Sequence, residues 1–448
     1  LLFQELFIRR PVTRRLDFLP MKRLILLCLL WLLPGRILAG QDTLTVMVYN
    51  LLYYGVNTSF CNQSNNNVDL KDANLRTILS HVRPDVFAVN EMGRGEATSQ
   101  RLLEQVLNRV DEGRYEMAGY TNTRNSTIVN MLYFDRHKFG LHSEAVLANE
   151  VRDINLYTLY YRSPGLEYGQ DTLFLSCIVA HLKAGSNQSD QQTRLREVMA
   201  MMSSLELSGL RGNIMFMGDF NMNASYEQAY GHLTHHPNEA IRFYDPIDRP
   251  GQWYNNPEMA AYHTQSPRTG SQSCFVAGGL DDRYDQILAA RSIIQGTEGL
   301  RYLEGSYHAL GQDGLRFNQS LTDPPNYSEP QAVIMALYNA SDHLPVILRL
   351  EVTQPQTLAG DVSHPAAGLA NLVNPVHGWL SFSLDMDPGG FTVGLYTLSG
   401  QPVLDRQAYL DFTGQPFVFD VSGIPRGVYI LQVHGSGGQV VSRKLWKR

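Results

Sequence analysis

At 448 residues the chain exceeds one ordinary domain, and its composition, 44% hydrophobic and 18% charged, is that of a globular protein able to bury a large core. The formal net charge of −6 is small for this length. It gives no sign of a basic surface built for nucleic acid, and it does not exclude nucleic acid as a partner.

Residues 1–20, "LLFQELFIRRPVTRRLDFLP", lack an initiating methionine and precede a convincing start at Met21. They are expected to come from translation upstream of the true start and are set aside. From Met21 the sequence reads "MKRLILLCLLWLLPGRILAG": a basic start, an apolar run from Leu24 to Leu33, a Pro-Gly break and a small residue, Ala39. This layout predicts a secretory signal peptide over 21–39, with a run too short to span a bilayer comfortably; an uncleaved anchor is the rival. The mature protein is expected to be exported, with no transmembrane span, and monomeric.

Between residues 40 and 352 short β-rich apolar runs recur, among them "LTVMVYNLLYY", "VFAVNEM", "IVNMLYF", "TLFLSCIVAHL", "NIMFMGDF", "RYDQILAA" and "LPVILRLEV". The stretches "DLKDANLRTILSHV", "QRLLEQVLNRV" and "QQTRLREVMAMMSSLEL" repeat apolar residues at three and four, as amphipathic helices do. The alternation predicts an α/β sandwich of sheets with helices outside. The segment 226–282 is polar, aromatic and turn-rich, and a loop that long inside a domain is usually functional or disordered. Residues 353–371, rich in Pro, Gly and Ala, are expected to be a linker, and 372–448, strand-like runs broken by Gly and Pro, a separate small all-β sandwich.

Of the four cysteines, Cys28 would leave with the signal peptide. Cys177 sits in an apolar run and suits a core. Cys61 and Cys274 occupy polar, loop-like surroundings, so a Cys61–Cys274 disulfide is the hypothesis. No CxxC or His/Cys cluster suggests zinc.

Chemistry-bearing residues gather beside the ends of the apolar runs: Asn50, Glu91, His181, Asp219 with Asn221, Asp285, and the pair Asp342-His343. Singly, each is a turn or surface residue; six runs ending this way are hard to dismiss. Asp219 and Asn221, at alternate positions of an extended chain, would share one side of it, the alternative being a turn that closes a core strand. Carboxylate and amide oxygens without cysteine suit a hard cation such as Mg2+, while histidines with acidic partners suit proton transfer and phosphate contact. The set reads as phosphoester hydrolysis.

In this order "VYN", "NEM", "AHL", "GDFN", "RYDQI" and "SDHLPV" resemble the endonuclease/exonuclease/phosphatase superfamily, which includes deoxyribonuclease I, abasic-site endonucleases and neutral sphingomyelinases. The resemblance covers residues 43–352 and implies a four-layered α/β sandwich. It implies that Glu91, helped by Asn50, holds a catalytic divalent metal, Mg2+ with Mn2+ or Ca2+ as alternatives, and that Asp342 binds where a second ion is used. It further implies that Asp219 with Asn221 positions and activates water, that His343, oriented by Asp285, meets the scissile phosphate, and that His181 is a second phosphate-contacting histidine. One departure is that "STIVNMLYF" carries no acid where the deoxyribonuclease branch pairs its second histidine. The acidic partner of His181 is therefore open.

The C-terminal "NPVHGWLSFSL", "LYTLSGQPVL", "FDVSGIPRGVYILQV" and "GGQVVSRKLWKR" resemble the sorting domain of type IX secretion substrates of Bacteroidetes, which implies type IX machinery as a partner, passage across the outer membrane, and removal of this domain with release of the enzyme or its attachment to the cell surface. A carbohydrate-binding or immunoglobulin-like sandwich is the alternative. The leading function is an exported, metal-dependent nuclease on external DNA or RNA. The alternatives are a sphingomyelinase-like lipid phosphodiesterase, a small-phosphoester phosphatase, or a surface binding protein with an inactive site. Loop 243–268 is the expected reader of substrate, through Trp253, Tyr254, Tyr262 and Arg268; its aromatics could stack bases, sit at a lipid interface or, the leading reading of the three, pack the loop onto the body. Arg94 and Arg124 are further cations in reach of phosphates, and all three arginines otherwise read as solvated surface charges.

Overall fold

The computed structural model describes residues 42–163, 172–272, 274–353, 368–385, 389–398, 400–412, 414–435 and 440–448. The signal-like stretch and most of the expected linker lie outside the described residues.

The chain enters as β1 (Thr43–Tyr54) and crosses through α1 (Val68–Val82) to a parallel β2 (Val86–Gly93). Asn67 starts α1 by accepting hydrogen bonds from the amides of Asp69 and Leu70, and Arg83, in the left-handed region before Pro84, ends it. Helix α2 begins at Glu96–Arg101 and continues through a π-helical segment, Leu102–Leu107. Then come β3 (Tyr115–Met117), β4 (Ile128–Asp135), β5 (Phe139–Ala148), β6 (Ile154–Tyr161) and β7 (Phe174–His181). Helix α3 (Gln188–Ser208) crosses to a parallel β8 (Ile214–Asp219), followed by α4 (Gln228–Thr234), β9 (Phe243–Tyr244) and β10 (Asp285–Ala290). The domain closes with α5 (Arg291–Gln295), β11 (Leu300–Tyr302), β12 (His308–Ala309), α6 (Gln331–Ala340) and β13 (Val346–Val352).

These strands make two mixed sheets, ordered β11-β13-β1-β2-β4-β3, with β12 on β13, and β5-β6-β7-β8-β10-β9. Side-chain alternation sorts each strand between two cores. Val46, Val48 and Ala88 of the first sheet face Val179, Met215 and Ile287 of the second. On the other side of the first sheet Met47, Tyr49 and Phe87 meet Leu75 and Ile78 of α1 and Ile334 and Leu337 of α6. Behind the second sheet Ile178 and Phe216 meet Val198, Met201 and Leu205 of α3. The order is helix, sheet, sheet, helix, the expected four layers.

Strands β5 and β6 and helix α6 escaped the sequence reading. The middle of β5 is exposed along the sheet edge, and α6 is apolar around most of its circumference, so neither shows a clean period. The segment 226–282 is no free loop: it holds α4, β9 and a 3-10 turn over Pro257–Tyr262. Gly218, one residue before Asp219, is fixed by close approach. At its φ of +144° a Cβ would lie 1.8 Å from the Ala180 carbonyl oxygen of β7.

Beyond residue 367, β14 (Gly368–Ala370), β15 (Trp379–Asp385), β16 (Gly389–Thr397), β17 (Pro402–Leu410), β18 (Pro416–Asp420), β19 (Gly427–Gly435) and β20 (Val440–Lys447) form sheets β14-β15-β18 and β17-β16-β19-β20. Leu380, Phe382, Val393 and Leu431 pack within this small sandwich. Its first strand lies inside the stretch read as linker.

Cys61 and Cys274 are joined across a sequence separation of 213, and Cys177 is buried and free. The bridge packs with Leu52 and Phe275, next to strand β1. Cys274→Ser is expected to destabilise the domain by about 2–4 kcal/mol, because the link removes a long loop from the unfolded ensemble. Urea denaturation with and without reductant measures it.

Candidate active site

Register brings the predicted residues to one edge of the two sheets. His181 on β7 pairs with Asp219 on β8, and Asp219 pairs with Asp285 on β10. Across the gap, Asn50 on β1 sends its amide nitrogen to Asp219 Oδ2 at 3.0 Å and to Glu91 Oε1 at 3.1 Å. The loop before β13 supplies Asp342 and His343; the Ser341 hydroxyl donates to the Asn50 carbonyl at 2.7 Å and accepts from the His343 amide at 3.2 Å.

Asn50 and Glu91 do not end their strands, as the sequence suggested. β1 continues to Tyr54 and β2 to Gly93, with a break in register between Asn50 and Tyr54. Leu52, Tyr53 and Glu91 have φ of 44°, 51° and 56°. Such backbone is uncommon for residues other than glycine and re-aims side chains as a bulge does.

The expectation for Asp219 and Asn221 is corrected in the same way. The extended chain stops at Asp219; Asn221 has a φ of 52° and its backbone N–H donates to Asp219 Oδ1 at 3.0 Å. The turn is real, and it also fixes the carboxylate. The Asn221 side chain donates to the Leu182 carbonyl at 3.3 Å, tying the loop after β8 to the one after β7. Asn50 also departs from its predicted part. Its amide oxygen accepts from the Leu52 N–H at 3.0 Å, so it presents nitrogen, not a metal-ligating oxygen, to the carboxylates.

Electrostatics separate the two histidines. His343 Nδ1 donates to Asp285 Oδ2 at 2.6 Å, and the same oxygen accepts from the Thr264 hydroxyl at 2.7 Å. Burial opposes a charge on His343, but Asp285, Asp219 and Asp342 outweigh it and hold the ring well above its usual range. His181 goes the other way: burial, then Arg152 and His343, drive it well below its usual range. The nearest acids to His181 are Glu91, 3.8 Å from Nδ1, and Asp219, 3.5 Å from Nε2. Burial pushes Asp219 up to about 7 despite the pull of His343, with Asp285 and Glu91 adding to the rise. Burial and Asp342 raise Glu91 likewise. One edge thus carries a charged imidazole, a neutral imidazole and carboxyls resisting ionisation.

That donor set fits a divalent cation. Ligand atoms of Glu91, His181 and Asp219 lie within 4.8 Å of one another. The buried Asp342 Oδ1 has no hydrogen-bond partner, and a cation would relieve both that oxygen and the crowded carboxylates; among the described residues His181 Nδ1 has no partner either and faces the same site.

Two of the expected substrate readers are structural. Trp253 is 0% exposed; its indole donates to the Arg249 carbonyl at 2.8 Å and its ring lies under the Arg283 guanidinium. Arg268, 5% exposed, stacks between Phe275 and Tyr338 and donates to Gln272 and the Tyr338 carbonyl, so neither phosphate nor bulk water reaches it as foreseen. Tyr254 is 45% exposed. Arg94 and Arg124 are exposed, bonded to Asn125 and the Glu150 carbonyl.

Several residues that hold the site in place were missed. Lys71, buried on α1, donates from Nζ to the carbonyls of Leu51, at 2.7 Å, and Ala340, at 2.5 Å, clasping the β1 bulge to the Asp342 loop. Burial pushes its ammonium down to about 7, against the pull of Asp342 and Glu91. The signal was a lysine on the apolar face of "DLKDANLRTIL", in line with Leu75 and Ile78. Asn90 accepts from the Asp219 N–H at 3.0 Å, and the Gln265 amide lies 2.7 Å from His343 Nε2. Neither had a sequence signal beyond being polar.

No family model and no curated protein matches the chain. Solved structures do. D. rerio TDP2 complexed with single strand DNA product is 14% identical, spanning 69% of this chain and 99% of its own, at a TM-score of 0.44. An endonuclease/exonuclease/phosphatase family protein from Bacteroides thetaiotaomicron is 13% identical over 70% of this chain and 96% of its own, at 0.44. The human Nocturnin catalytic domain with bound sulfate is 16% identical over 70% and 98%, at 0.42. All three scores fall below 0.5; the four layers are read from the sheets and cores of this chain.

Lys71→Met leaves two buried carbonyls unpaired. It is expected to cost about 1–3 kcal/mol of stability and to slow turnover roughly 10- to 100-fold by loosening the clasp. Denaturation midpoints and kcat read the two effects separately. For His343 to give a proton it must be charged, and that form is lost as pH rises through its raised pKa. Asp285→Asn removes the first cause of that rise, so the alkaline limb of the rate profile should move to lower pH, with a rate loss of roughly 10²-fold at pH 8. An unmoved limb would contradict the assignment of the proton to His343.

Proposed function

We propose that this protein is a divalent-metal-dependent phosphodiester hydrolase of the endonuclease/exonuclease/phosphatase type, acting on DNA or RNA outside the cell. The observation that carries the reading is the pair of buried histidines of opposite charge preference on either side of Asp219, with Asp285 locked to one of them. Glu91 and Asp342 would hold the cation, Mg2+ first and Mn2+ or Ca2+ as alternatives, which when bound would polarise the phosphoryl oxygens and offset their charge. Asp219, its Oδ1 fixed by the Asn221 N–H and its Oδ2 by the Asn50 amide, orients an attacking water and takes its proton. His343, its ring fixed by Asp285 and Thr264, gives a proton to the departing oxygen from Nε2. His181, neutral, donates a hydrogen bond to a phosphate oxygen. Export rests on the sequence of residues 21–39 and of 372–448, and the second of these is proposed to engage type IX secretion. Among the described residues no helix is long and apolar enough to cross a membrane.

Supercoiled plasmid with Mg2+ tests the reading. Nicking is expected, abolished by EDTA and lowered at least ~10²-fold in Asp219→Ala, with Glu91→Ala and His343→Ala similar. Equal rates for wild type and Asp219→Ala on bis(4-nitrophenyl) phosphate would end the enzyme reading. Hydrolysis of that ester without nicking would move the substrate to a lipid headgroup or small phosphoester.

A further inference from the structure

Beside the catalytic cluster a cleft of about 480 Å³ opens between the loop after β7 and the loop after β8. Its walls are amides and tyrosines: Gln191 and Gln192 on α3, Gln252, Tyr226 and Tyr254, with one carboxylate, Glu227. Among the described residues no lysine or arginine lines it. The wall residue Asn223 lies four residues beyond Asp219, a span of at most about 15 Å. That span is within reach of a nucleotide adjoining one whose phosphate lies at the cluster.

The cleft is rigidly built. Arg194, fully buried, donates from Nη1 to the carbonyls of Lys183 and Gly185, at 2.9 and 2.6 Å, and from Nε and Nη2 to Glu227 Oε2, at 3.1 and 2.8 Å. The other Glu227 oxygen accepts from the Asn223 N–H at 2.8 Å. One ion pair thus locks both loops and consumes the only charge on the wall. The amides are linked as well: Gln192 donates to Gln228 at 3.3 Å, and the Tyr226 hydroxyl donates to Gln252.

What remains is a neutral, preorganised surface. A phosphate would ask for lysine or arginine, a choline-like cation for an aromatic cage or a free carboxylate, and an acyl chain for apolar walls. Gln252 donates to the Tyr254 carbonyl at 3.2 Å and Gln191 to the Ser186 carbonyl at 3.3 Å, which leaves each carboxamide a second N–H beside an oxygen lone pair, the complement of a nucleobase edge. Exposed tyrosine rings offer faces on which an unstacked base can lie.

We infer that this cleft is a base subsite, holding one unstacked nucleobase of a single-stranded nucleic acid whose phosphate lies at the Asp219 cluster. The inference rests on the nucleic-acid reading above, and the test separates the two. Fluorescein-labelled single-stranded oligodeoxynucleotide of mixed sequence, and an abasic strand of equal length, are titrated with the intact chain in EDTA and followed by anisotropy. Wild type is expected to bind the base-bearing strand at least ~10-fold more tightly, the scale of one stacked base. Gln252→Ala/Tyr254→Ala should bring that ratio below about threefold without changing abasic binding; Gln191→Ala, which leaves the Tyr226 and Tyr254 contacts alone, decides the matter should the first variant fail to fold. Equal binding of both strands by wild type, or a ratio that neither variant moves, overturns the base subsite. Bis(4-nitrophenyl) phosphate hydrolysis with Mg2+ is measured on the same samples. Base-dependent binding without hydrolysis would retire the hydrolase alone, and hydrolysis with equal binding would retire the subsite alone.

Discussion

The contact between Asp285 and His343 joins the two halves of the molecule. Asp285 heads β10 of one sheet, His343 precedes β13 of the other, and the 2.6 Å bond between them bridges the sandwich where its edges meet. Because Asp285 Oδ2 also accepts from Thr264, the carboxylate cannot turn away without losing a second partner. The charge it induces on His343 has a further effect. Asp219 and Glu91 both sit where burial discourages ionisation, and His343 is the largest favourable influence on each of them. Neutralising Asp285 would therefore leave the whole edge electrostatically unbalanced as well as unbridged.

How much of this was legible in the sequence depended on whether a residue's place is set by its own strand. His181, Asp219 and Asp285 stand at strand ends that apolar runs announce, and register alone brings them opposite one another. Asn50 and Glu91 reach the same edge from another setting, since the strands carry on past them through left-handed residues that no periodicity reveals. Asn221 illustrates a false choice: a turn residue by conformation, it holds the neighbouring carboxylate through that same turn. Trp253 packs the loop onto the body, the leading reading of its aromatics, whereas Arg268 was misplaced because a cation in a turn-rich segment looks exposed; the sequence alone names the partners of neither. Those partners, Arg283, Phe275 and Tyr338, are far away in sequence or emerge only when 226–282 folds against the body.

That segment has two faces with different tasks. Inward, Arg283 is bonded to Asp245 and stacked on Trp253, so the chain before β10 is anchored by a buried ion pair and an indole. The Asp342 carboxylate accepts from the Val276 N–H at 3.0 Å, two residues from the disulfide. Outward, the same segment leaves Gln252 and Tyr254 at the mouth of the neutral cleft. A rigid interior is what lets an exposed rim be specific, since little ordering remains to be done on binding.

The distribution of charge then constrains how a polyanion could be held. The chain carries a net charge of −6, the cleft shows no free charge, and Arg268 is stacked away inside the fold. Neither the net charge nor this cleft supplies long-range attraction for phosphates. At the site itself attraction would come at short range, from the charged His343, from a cation among the carboxylates, and from neutral contacts in the cleft. Binding assembled this way releases few counterions per phosphate, so it should weaken only mildly with salt where a basic groove would weaken steeply. A site whose grip is local is the arrangement least sensitive to ionic strength, because short-range contacts are screened little where distant charges are screened strongly.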